Sequence, residues 1–349
     1  MSTRPELRRR GALPAACLIA AVLCAGCGSY HAKTALGPAR PVTVAVGSPA
    51  SAPYAPLYEA QANGDFTRGA LRITIEHSPG GNPLGALESG SATLAVVSEP
   101  ALLAARDGGA SLVAIGALVG QPLDGIVTLA PATHQASAAT GLRGRTVAVG
   151  SGALGQAELR TALATMHIAG SKVHTVALHG SAAAFLSSTR AAATIGFSWP
   201  LIGATLAKAG RTASVIAVPK AGTPTYSQLV VVARVGEAHV DGELLRAFLQ
   251  SLTRGERAVA ENPAAAAATL AKANPTIGAG IERAALARML PSVAPTNPAH
   301  PYGYLDPYAW QAFGVWMHSH GLLRQSADAG LAITDEFLPG QGEQTQTGA

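Results

Sequence analysis

The sequence predicts an α/β fold with two lobes, each built on a doubly wound sheet. Short apolar, β-branched segments alternate with helical segments through most of the chain, which is typical of strands connected by helices rather than of a bundle or a sandwich. The chain has 349 residues, of which 13% are charged. At roughly 100–200 residues per domain this length corresponds to two domains or lobes, and the composition excludes an intrinsically disordered chain.

The first series of alternating segments begins at Val42. A β-branched run leads into a stretch rich in Gly, Ser, Pro and Ala, and the helix that follows ends at Asn63-Gly64, a typical helix C-terminus. The predicted strands of this series cover 42–46, 71–75, 94–97 and 112–117, and the predicted helices cover about 54–61, a segment ending near 90, and 101–106.

The second series begins at Thr146 and repeats the same alternation. Its segments are a strand at 146–149, a helix at about 154–166, a strand at 173–178, and further alternating segments at 183–188, 192–197, 201–209 and 213–218. After a strand at 229–233 the chain is predicted to be helical. One of these helices starts at Asn262-Pro263, which supply an N-cap and a first-turn proline.

The excess positive charge is concentrated at the N-terminus. Residues 1–26 carry four arginines against one glutamate, a net charge of +3, which leaves 21 basic and 19 acidic side chains in the other 323 residues. The rest of the chain is therefore not a basic domain, and we do not expect nucleic acid as a partner. The arginines precede an uncharged run over 11–26, which is shorter than the roughly 20 residues that span a bilayer and fits a signal peptide.

This run ends in Cys24-Ala25-Gly26-Cys27, which resembles a bacterial lipobox, with Cys24 where leucine is usual. We therefore expect residues 1–27 to be a lipoprotein signal segment, Cys27 to carry the lipid and residues 28–41 to form a tether. An uncleaved anchor or an ordinary signal peptide is the alternative. Because the third cysteine, Cys17, lies in the same segment, a disulfide framework, a thiolate metal site and a cysteine nucleophile are excluded for the processed chain.

Two glycine-rich turns predict where a ligand site would lie. Ser78–Asn82 and Gly150–Ala153 each follow a predicted strand and open a predicted helix, where backbone N–H groups favour an anionic or electron-rich group. Glycine after a strand is usually just a turn, which is the alternative for each. In open α/β sheets ligands bind beyond the carboxyl ends of the strands, where both turns fall. Phe197-Ser198-Trp199 also follows a strand, and its two rings suit either stacking on a flat ligand or packing within the lobe.

The sequence lacks the usual catalytic signatures. It contains no G-x-S-x-G or S-x-x-K motif, no P-loop or dinucleotide fingerprint, and no acidic pair at metal-ligand spacing. We therefore expect no enzymatic activity, no cofactor and no metal site. We also expect Trp310, Phe313 and Phe337 to anchor the C-terminal segment to the core, since large aromatic side chains near a chain end are usually buried.

A set of short motifs occurs in one order along the chain. These are 57–66 (LYEAQANGDF), 79–81 (PGG), 86–90 (ALESG), 142–147 (LRGRTV), 222–230 (GTPTYSQLV), 262–263 (NP), 303–307 (GYLDP), Trp310 and 334–338 (TDEFL). Together they resemble the substrate-binding lipoproteins of ABC importers, specifically the sulfonate/thiamine-pyrimidine-precursor (SsuA/ThiY-like) group. The resemblance covers about residues 42–339.

The resemblance implies a type II periplasmic-binding-protein fold, with a mixed sheet in each lobe, two hinge strands and a helical C-terminal region. The first lobe would comprise 42–130 plus 226–349 and the second 131–225. The lobes would close over one small molecule. Carried over from the family, the ligand-binding residues are Ser51, Tyr54, Gly80, Gly81, Asn82, Ser98, Glu99, Asp124, Ser151, Gly152, Phe197, Trp199 and Tyr226.

The resemblance further implies an exported monomer, lipid-anchored to the outer face of the cytoplasmic membrane, that delivers its ligand to a permease and ATPase. Pyrimidine-precursor binders typically have Asp-Trp and Asn-His where this chain has Gly47-Ser48 and Pro53-Tyr54, and acidic residues where it has Thr93 and Ile202. The expected ligand is a small heteroaromatic solute. An aliphatic sulfonate, nitrate or a riboflavin-type ligand is the alternative, and a sensing receptor or a pyrimidine-synthase-like enzyme is a more distant one.

Overall fold

Two five-stranded mixed sheets form the frame of the protein. The structure is a computed structural model that describes residues 38–47, 49–78, 81–129, 142–150, 152–178, 185, 193–293, 297–325 and 328–341. Residues 1–37, which include the predicted signal segment, Cys27 and most of the predicted tether, lie outside the described residues. Within the described part, no helix is long and apolar enough to cross a membrane.

The first sheet has the strand order β2-β1-β3-β10-β4 and the second has the order β7-β6-β8-β5-β9. The strands are β1 (Arg40–Val46), β2 (Leu71–His77), β3 (Leu94–Val97), β4 (Leu112–Val119), β5 (Gly125–Leu129), β6 (Thr146–Gly150), β7 (His174–Leu178), β8 (Ala193–Ile195), β9 (Ala213–Ala217) and β10 (Leu229–Arg234). Strand β4 is buried along its whole length, which explains its uninterrupted apolar sequence.

Both sheets contain one strand that runs against its neighbours. β10 pairs antiparallel with β3 and β4, and β5 pairs antiparallel with β8 and β9, whereas β1, β2 and β3 are parallel, as are β6, β7 and β8. The predicted mixed sheets are therefore confirmed. The alternation of strands and helices did not reveal β5, because this strand directly follows β4 without a helix between them.

Helices cover the faces of the two sheets. They are α1 (Ala55–Ala62), α2 (Asp65–Arg68), α3 (Pro83–Glu88), α4 (Glu99–Asp107), α5 (Ala153–Thr165), α6 (Trp199–Lys208), α7 (Val235–Val240), α8 (Gly242–Glu261), α9 (Pro263–Ala273), α10 (Ala279–Val293) and α11 (Pro307–Ser319). Asn262 begins α9 as predicted, since its side chain accepts a hydrogen bond from the backbone N–H of Ala265. The cap is followed directly by Pro263 at the first helical position.

Two short segments connect the sheets. Residues 120–124, the first crossing, lead from β4 to β5, and residues 218–228, the second crossing, lead from β9 to β10. The crossings are bonded to each other, because Leu123 N–H donates to Gln228 Oε1 at 2.7 Å and Val218 N–H donates to the Asp124 carbonyl at 3.2 Å. These bonds hold the two segments side by side.

The C-terminal aromatic residues are buried, as the sequence predicts. Trp310, Phe313 and Phe337 are at most 2% exposed, and Phe313 contacts the Tyr226 ring of the second crossing with a centroid distance of 4.6 Å. Helix α11 is thereby fixed against the region between the sheets. From residue 38 onward the chain forms one compact unit.

Candidate functional site

The predicted ligand residues lie mainly where strands end. Ser51 and Tyr54 follow β1, Gly81 and Asn82 follow β2, Ser98 and Glu99 follow β3, Gly152 follows β6, and Phe197 and Trp199 follow β8. Asp124 and Tyr226 belong to the two crossings. Gly80 and Ser151 lie outside the described residues. This distribution agrees with the rule that α/β sheets bind ligands beyond the carboxyl ends of their strands.

A cavity of about 250 Å³, here called the α10 cavity, opens between elements of both sheets. It is lined by Ser51, Ala52, Pro53, Tyr54, Leu123, Ser198, Pro200, Leu201, Gln228, Leu229, Ala285 and Met289. The lining is mostly apolar, with a few hydroxyl groups and one amide. Such a combination is typical of small-molecule sites, in which apolar surface supplies affinity and a few polar groups fix orientation.

A short 3₁₀ turn places Tyr54 in the α10 cavity. The turn covers Ala52–Tyr54 and is closed by a hydrogen bond from Tyr54 N–H to the Ser51 carbonyl at 2.8 Å, with Pro53 favouring its tight backbone. Glu282 of α10 is 1% exposed, and burial raises its pKa to about 7, with the nearby Ala52 backbone opposing part of this rise. Neither carboxyl oxygen of Glu282 has a hydrogen-bond partner among the described residues, a buried position that no sequence motif indicated.

Phe197 and Trp199 are half-buried and pack inside the second sheet's own helix layer. Both contact a small cluster of buried side chains, Val127, Ala148, Phe185, Ile202 and Leu206. The backbone N–H of Trp199 donates to the Leu123 carbonyl at 2.9 Å, which connects the start of α6 to the first crossing. Neither ring lines the α10 cavity, so the geometry of the described residues favours packing over stacking on a ligand.

The two glycine-rich turns open their helices in the predicted way. Gly81 has a φ of +70° and Gly152 a φ of +156°, which are backbone conformations that side chains disfavour. Asn82 is exposed and uses its side chain to accept from Gly85 N–H at 3.1 Å, as the N-cap of α3. Ser98 caps α4 in the same manner, through Ala101 N–H at 3.4 Å. None of these residues lines the α10 cavity.

A buried group of two carboxyls and one phenol connects the crossings to helix α5. The hydroxyl of Tyr226 lies 3.2 Å from Asp124 Oδ2 and 3.0 Å from Glu158 Oε1. Burial raises the pKa of Asp124 to about 6, and burial together with the nearby Asp124 charge raises the pKa of Glu158 well above its ordinary value. The Tyr226 hydroxyl has a single proton, so it can donate to only one of the two carboxyls. The other carboxyl can keep its own proton and donate it to the phenol oxygen.

Glu99 and Tyr226 line a second cavity of about 300 Å³, here called the α11 cavity. It is formed by the residues Glu99, Gly120, Gln121, Thr225, Tyr226, Ser227, Asn297, His300, Tyr304, Asp306, Ala309 and Trp310. Glu99 is fully buried, and its Oε2 accepts from Ser227 N–H at 2.7 Å. Of the thirteen predicted ligand residues, two line the α10 cavity and two line the α11 cavity, and the two cavities share no lining residue.

The fold and the cavity between the sheets define the class of the protein, an α/β protein of the periplasmic-binding-protein type. The solved structure of the aliphatic sulphonate binding protein SsuA from Escherichia coli matches with a TM-score of 0.64 and 17% identity, over 85% of this chain and 98% of that one. The desulfurization enzyme DSZB matches with a TM-score of 0.58 and 14% identity, over 85% and 97%. At these identities the likeness concerns the fold alone.

The sequence places the chain more narrowly. Residues 51–266 match the family described as NMT1/THI5 like, and the protein belongs to that family. A formylaminopyrimidine-binding protein of Halalkalibacterium halodurans is 26% identical over 291 residues, which are 80% of this chain and 86% of that protein. The resemblance to the sulfonate/thiamine-pyrimidine-precursor group is thereby confirmed.

The arrangement of the α10 cavity is suited to binding a solute. Its lining combines hydroxyl groups of Ser51, Tyr54 and Ser198 with apolar side chains from both sheets and from α10. Among the described residues, no group of three or more His, Cys, Asp or Glu side chains could hold a metal ion.

Proposed function

We propose that the protein is the solute-binding component of an ABC importer and holds its solute in the α10 cavity. One observation carries this proposal: the cavity is lined by the turn after β1, the start of α6 after β8, and both crossings. A solute there contacts elements of both sheets, so its binding free energy favours the arrangement in which they approach each other. The family membership and the formylaminopyrimidine-binding relative support the same role.

The proposed solute is a small heteroaromatic compound similar to a thiamine pyrimidine precursor. A volume of about 250 Å³ suits one ring with short substituents, and the lining offers apolar surface with a few hydroxyl and amide groups. The formylaminopyrimidine-binding relative supports this class. Sulfonate and nitrate are less suited, because the lining residues of the α10 cavity include neither Lys nor Arg to balance an anion.

In place of the expected lobe boundaries at 130 and 226, we propose boundaries at the two crossings, because β5 (Gly125–Leu129) pairs within the second sheet. We also propose that Cys27 anchors the protein to the outer face of the membrane. The lipobox-like sequence before Cys27 supports the anchor. The wild-type chain should incorporate labelled fatty acid, and the variant Cys27→Ser, which lacks the thiol that would carry the lipid, should not. Equal lipid labelling of the two, or none in the wild type, would contradict the lipid anchor.

The experiment is a thermal unfolding series on the full chain with formylaminopyrimidine, an aliphatic sulfonate, nitrate and riboflavin. A solute at about 100 times its Kd stabilises the folded state by roughly 2.7 kcal/mol. We expect formylaminopyrimidine to raise the unfolding temperature accordingly and the other compounds to leave it unchanged. The variant Leu201→Trp fills the α10 cavity and should abolish the shift, whereas Leu331→Trp, at a side chain 70% exposed, should preserve it. No shift with any compound, or an unchanged shift in Leu201→Trp, would overturn the proposal.

A further inference from the structure

The α11 cavity contains polar groups that the proposed solute site leaves unused. Glu99 is fully buried, and its Oε1 has no hydrogen-bond partner among the described residues, although its Oε2 is bonded to Ser227. Trp310 is 2% exposed, and its indole Nε1 likewise has no partner in the described part of the chain. Buried polar groups of this kind are costly unless something bonds to them. The indole N–H is itself a donor and needs an acceptor, so it is the free carboxyl oxygen of Glu99 that indicates a ligand with hydrogen-bond donors.

The charges around the α11 cavity determine the sign of that ligand. Glu99 and Asp306 contribute carboxyls, and His300 is the only basic side chain among the lining residues described. The N-terminus of α11 is not free to attract an anion, because Asp306 Oδ1 already accepts from Tyr308 N–H at 2.9 Å and Ala309 N–H at 3.3 Å. The cavity is therefore unsuited to a sulfonate or a phosphate and suited to a cation.

Aromatic rings supply the remaining surface for a cation. The Trp310 and Tyr304 rings line the cavity, and Tyr304 is stacked on His300 with a centroid distance of 3.7 Å. A delocalised cation can lie against such rings while its N–H groups bond to a carboxylate. We propose that the α11 cavity is a second binding site, specific for a small organic cation with N–H donors, such as an amidinium or a primary ammonium group.

The proposed contact links cation binding to the loss of a proton. Burial raises the pKa of Glu99 to about 8, with the Ser227 hydrogen bond opposing part of the rise, so this carboxyl is mostly protonated at pH 7. A bound cation stabilises the carboxylate, and binding therefore releases a proton and strengthens as the pH rises toward 9. The pH dependence of the affinity is fitted with every titratable group that faces Glu99. In the lining these are Asp306, His300, Tyr304 and Tyr226, and behind Tyr226 they are Asp124 and Glu158.

The test uses calorimetry on the full chain with benzamidine and, as its uncharged counterpart, benzamide. We expect benzamidine to bind at millimolar concentrations or below, benzamide not to bind, and the heat measured in two buffers of different ionisation enthalpy to show proton release. The variant Glu99→Gln should weaken benzamidine at least about thirtyfold, as removing one partner of a buried charged pair does. Glu88→Gln changes an exposed carboxyl on α3 and should leave binding unchanged.

Two further measurements keep the result independent of folding defects and of the solute site. Trp310→Phe retains an aromatic ring against which the cation can lie, so it should weaken benzamidine less than Glu99→Gln does. Leu201→Trp, which fills the α10 cavity, should leave benzamidine binding intact. Equal binding of benzamidine and benzamide, binding that does not change with pH in the wild-type chain, or full affinity in Glu99→Gln would each overturn the cation site.

Discussion

Tyr226 shows how a single side chain can connect three parts of this fold. It belongs to the second crossing, its hydroxyl contacts Asp124 of the first crossing and Glu158 of α5, and its ring contacts Phe313 of α11. The phenol separates two carboxyls that would otherwise repel each other. The resemblance to the family indicated Asp124 and Tyr226, but Glu158 lies inside an ordinary helix and has no motif around it, so its role is visible only in the structure.

The variant Tyr226→Phe removes the hydroxyl and leaves both carboxyls without their shared partner. We expect the free energy of unfolding to fall by about 1–3 kcal/mol, the usual result when buried polar groups lose a hydrogen bond. Urea unfolding measures this change. Tyr308→Phe is the matched control, because Tyr308 is 86% exposed and should tolerate the substitution without loss. Equal stability of both variants would mean that the phenol does not stabilise the carboxyl pair.

At the level of elements, the strands were largely predictable and their pairing was not. The apolar β-branched runs at 94–97 and 229–233 correspond closely to β3 and β10. β3 and β10 are antiparallel because the second crossing returns the chain to the first sheet. The sequence of this crossing has no local pattern that predicts such a return. The sequence also did not predict that Ser51 and Tyr54 would line one cavity and Glu99 and Tyr226 another. The two cavities form where α10 and α11 pack, which no local sequence pattern indicates.

Helices α1 and α8 approach so closely that one position on α8 excludes a side chain. A Cβ atom placed on Gly255 would lie 2.1 Å from the Pro56 carbonyl oxygen and 2.8 Å from Ala60 Cβ. We expect Gly255→Ala to destabilise the protein by at least about 1–3 kcal/mol, because the helices must separate to admit the methyl group. Thermal and urea unfolding measure the loss.

Gly280→Ala is the matched control for Gly255→Ala, since Gly280 also lies in a helix, α10, and has open space around it. This change should be neutral or stabilise the protein by up to about 1 kcal/mol, because alanine favours a helix more than glycine does. If Gly255→Ala were as stable as Gly280→Ala, the close contact between α1 and α8 would not exist in solution.

At the level of the whole molecule, several buried carboxyls share one direction of pKa change. Burial raises the pKa of Glu99 to about 8, of Glu282 to about 7, and of Asp124 and Asp335 to about 6. Unfolded chains lose these protons near pH 4, so the folded protein binds more protons than the unfolded one between about pH 4 and pH 8. The pKa of Asp107 changes in the opposite direction, because the backbone N–H of Arg324 donates to this carboxylate and lowers its pKa. Asp107 therefore changes the free energy of unfolding only at acidic pH.

The free energy of unfolding should therefore decrease as the pH rises from about 5 to about 9, by an amount on the order of a few kcal/mol. The stability that protonated carboxyls provide is complete below the pKa values of the unfolded chain and is lost as each folded-state pKa is passed. Urea midpoints across this range measure the decrease. Glu282→Gln should flatten the curve near pH 7, where this carboxyl ionises, and Glu76→Gln, at an exposed position on β2, should not. A wild-type curve that stays level or rises over this range would show that the buried carboxyls are already ionised in the folded protein.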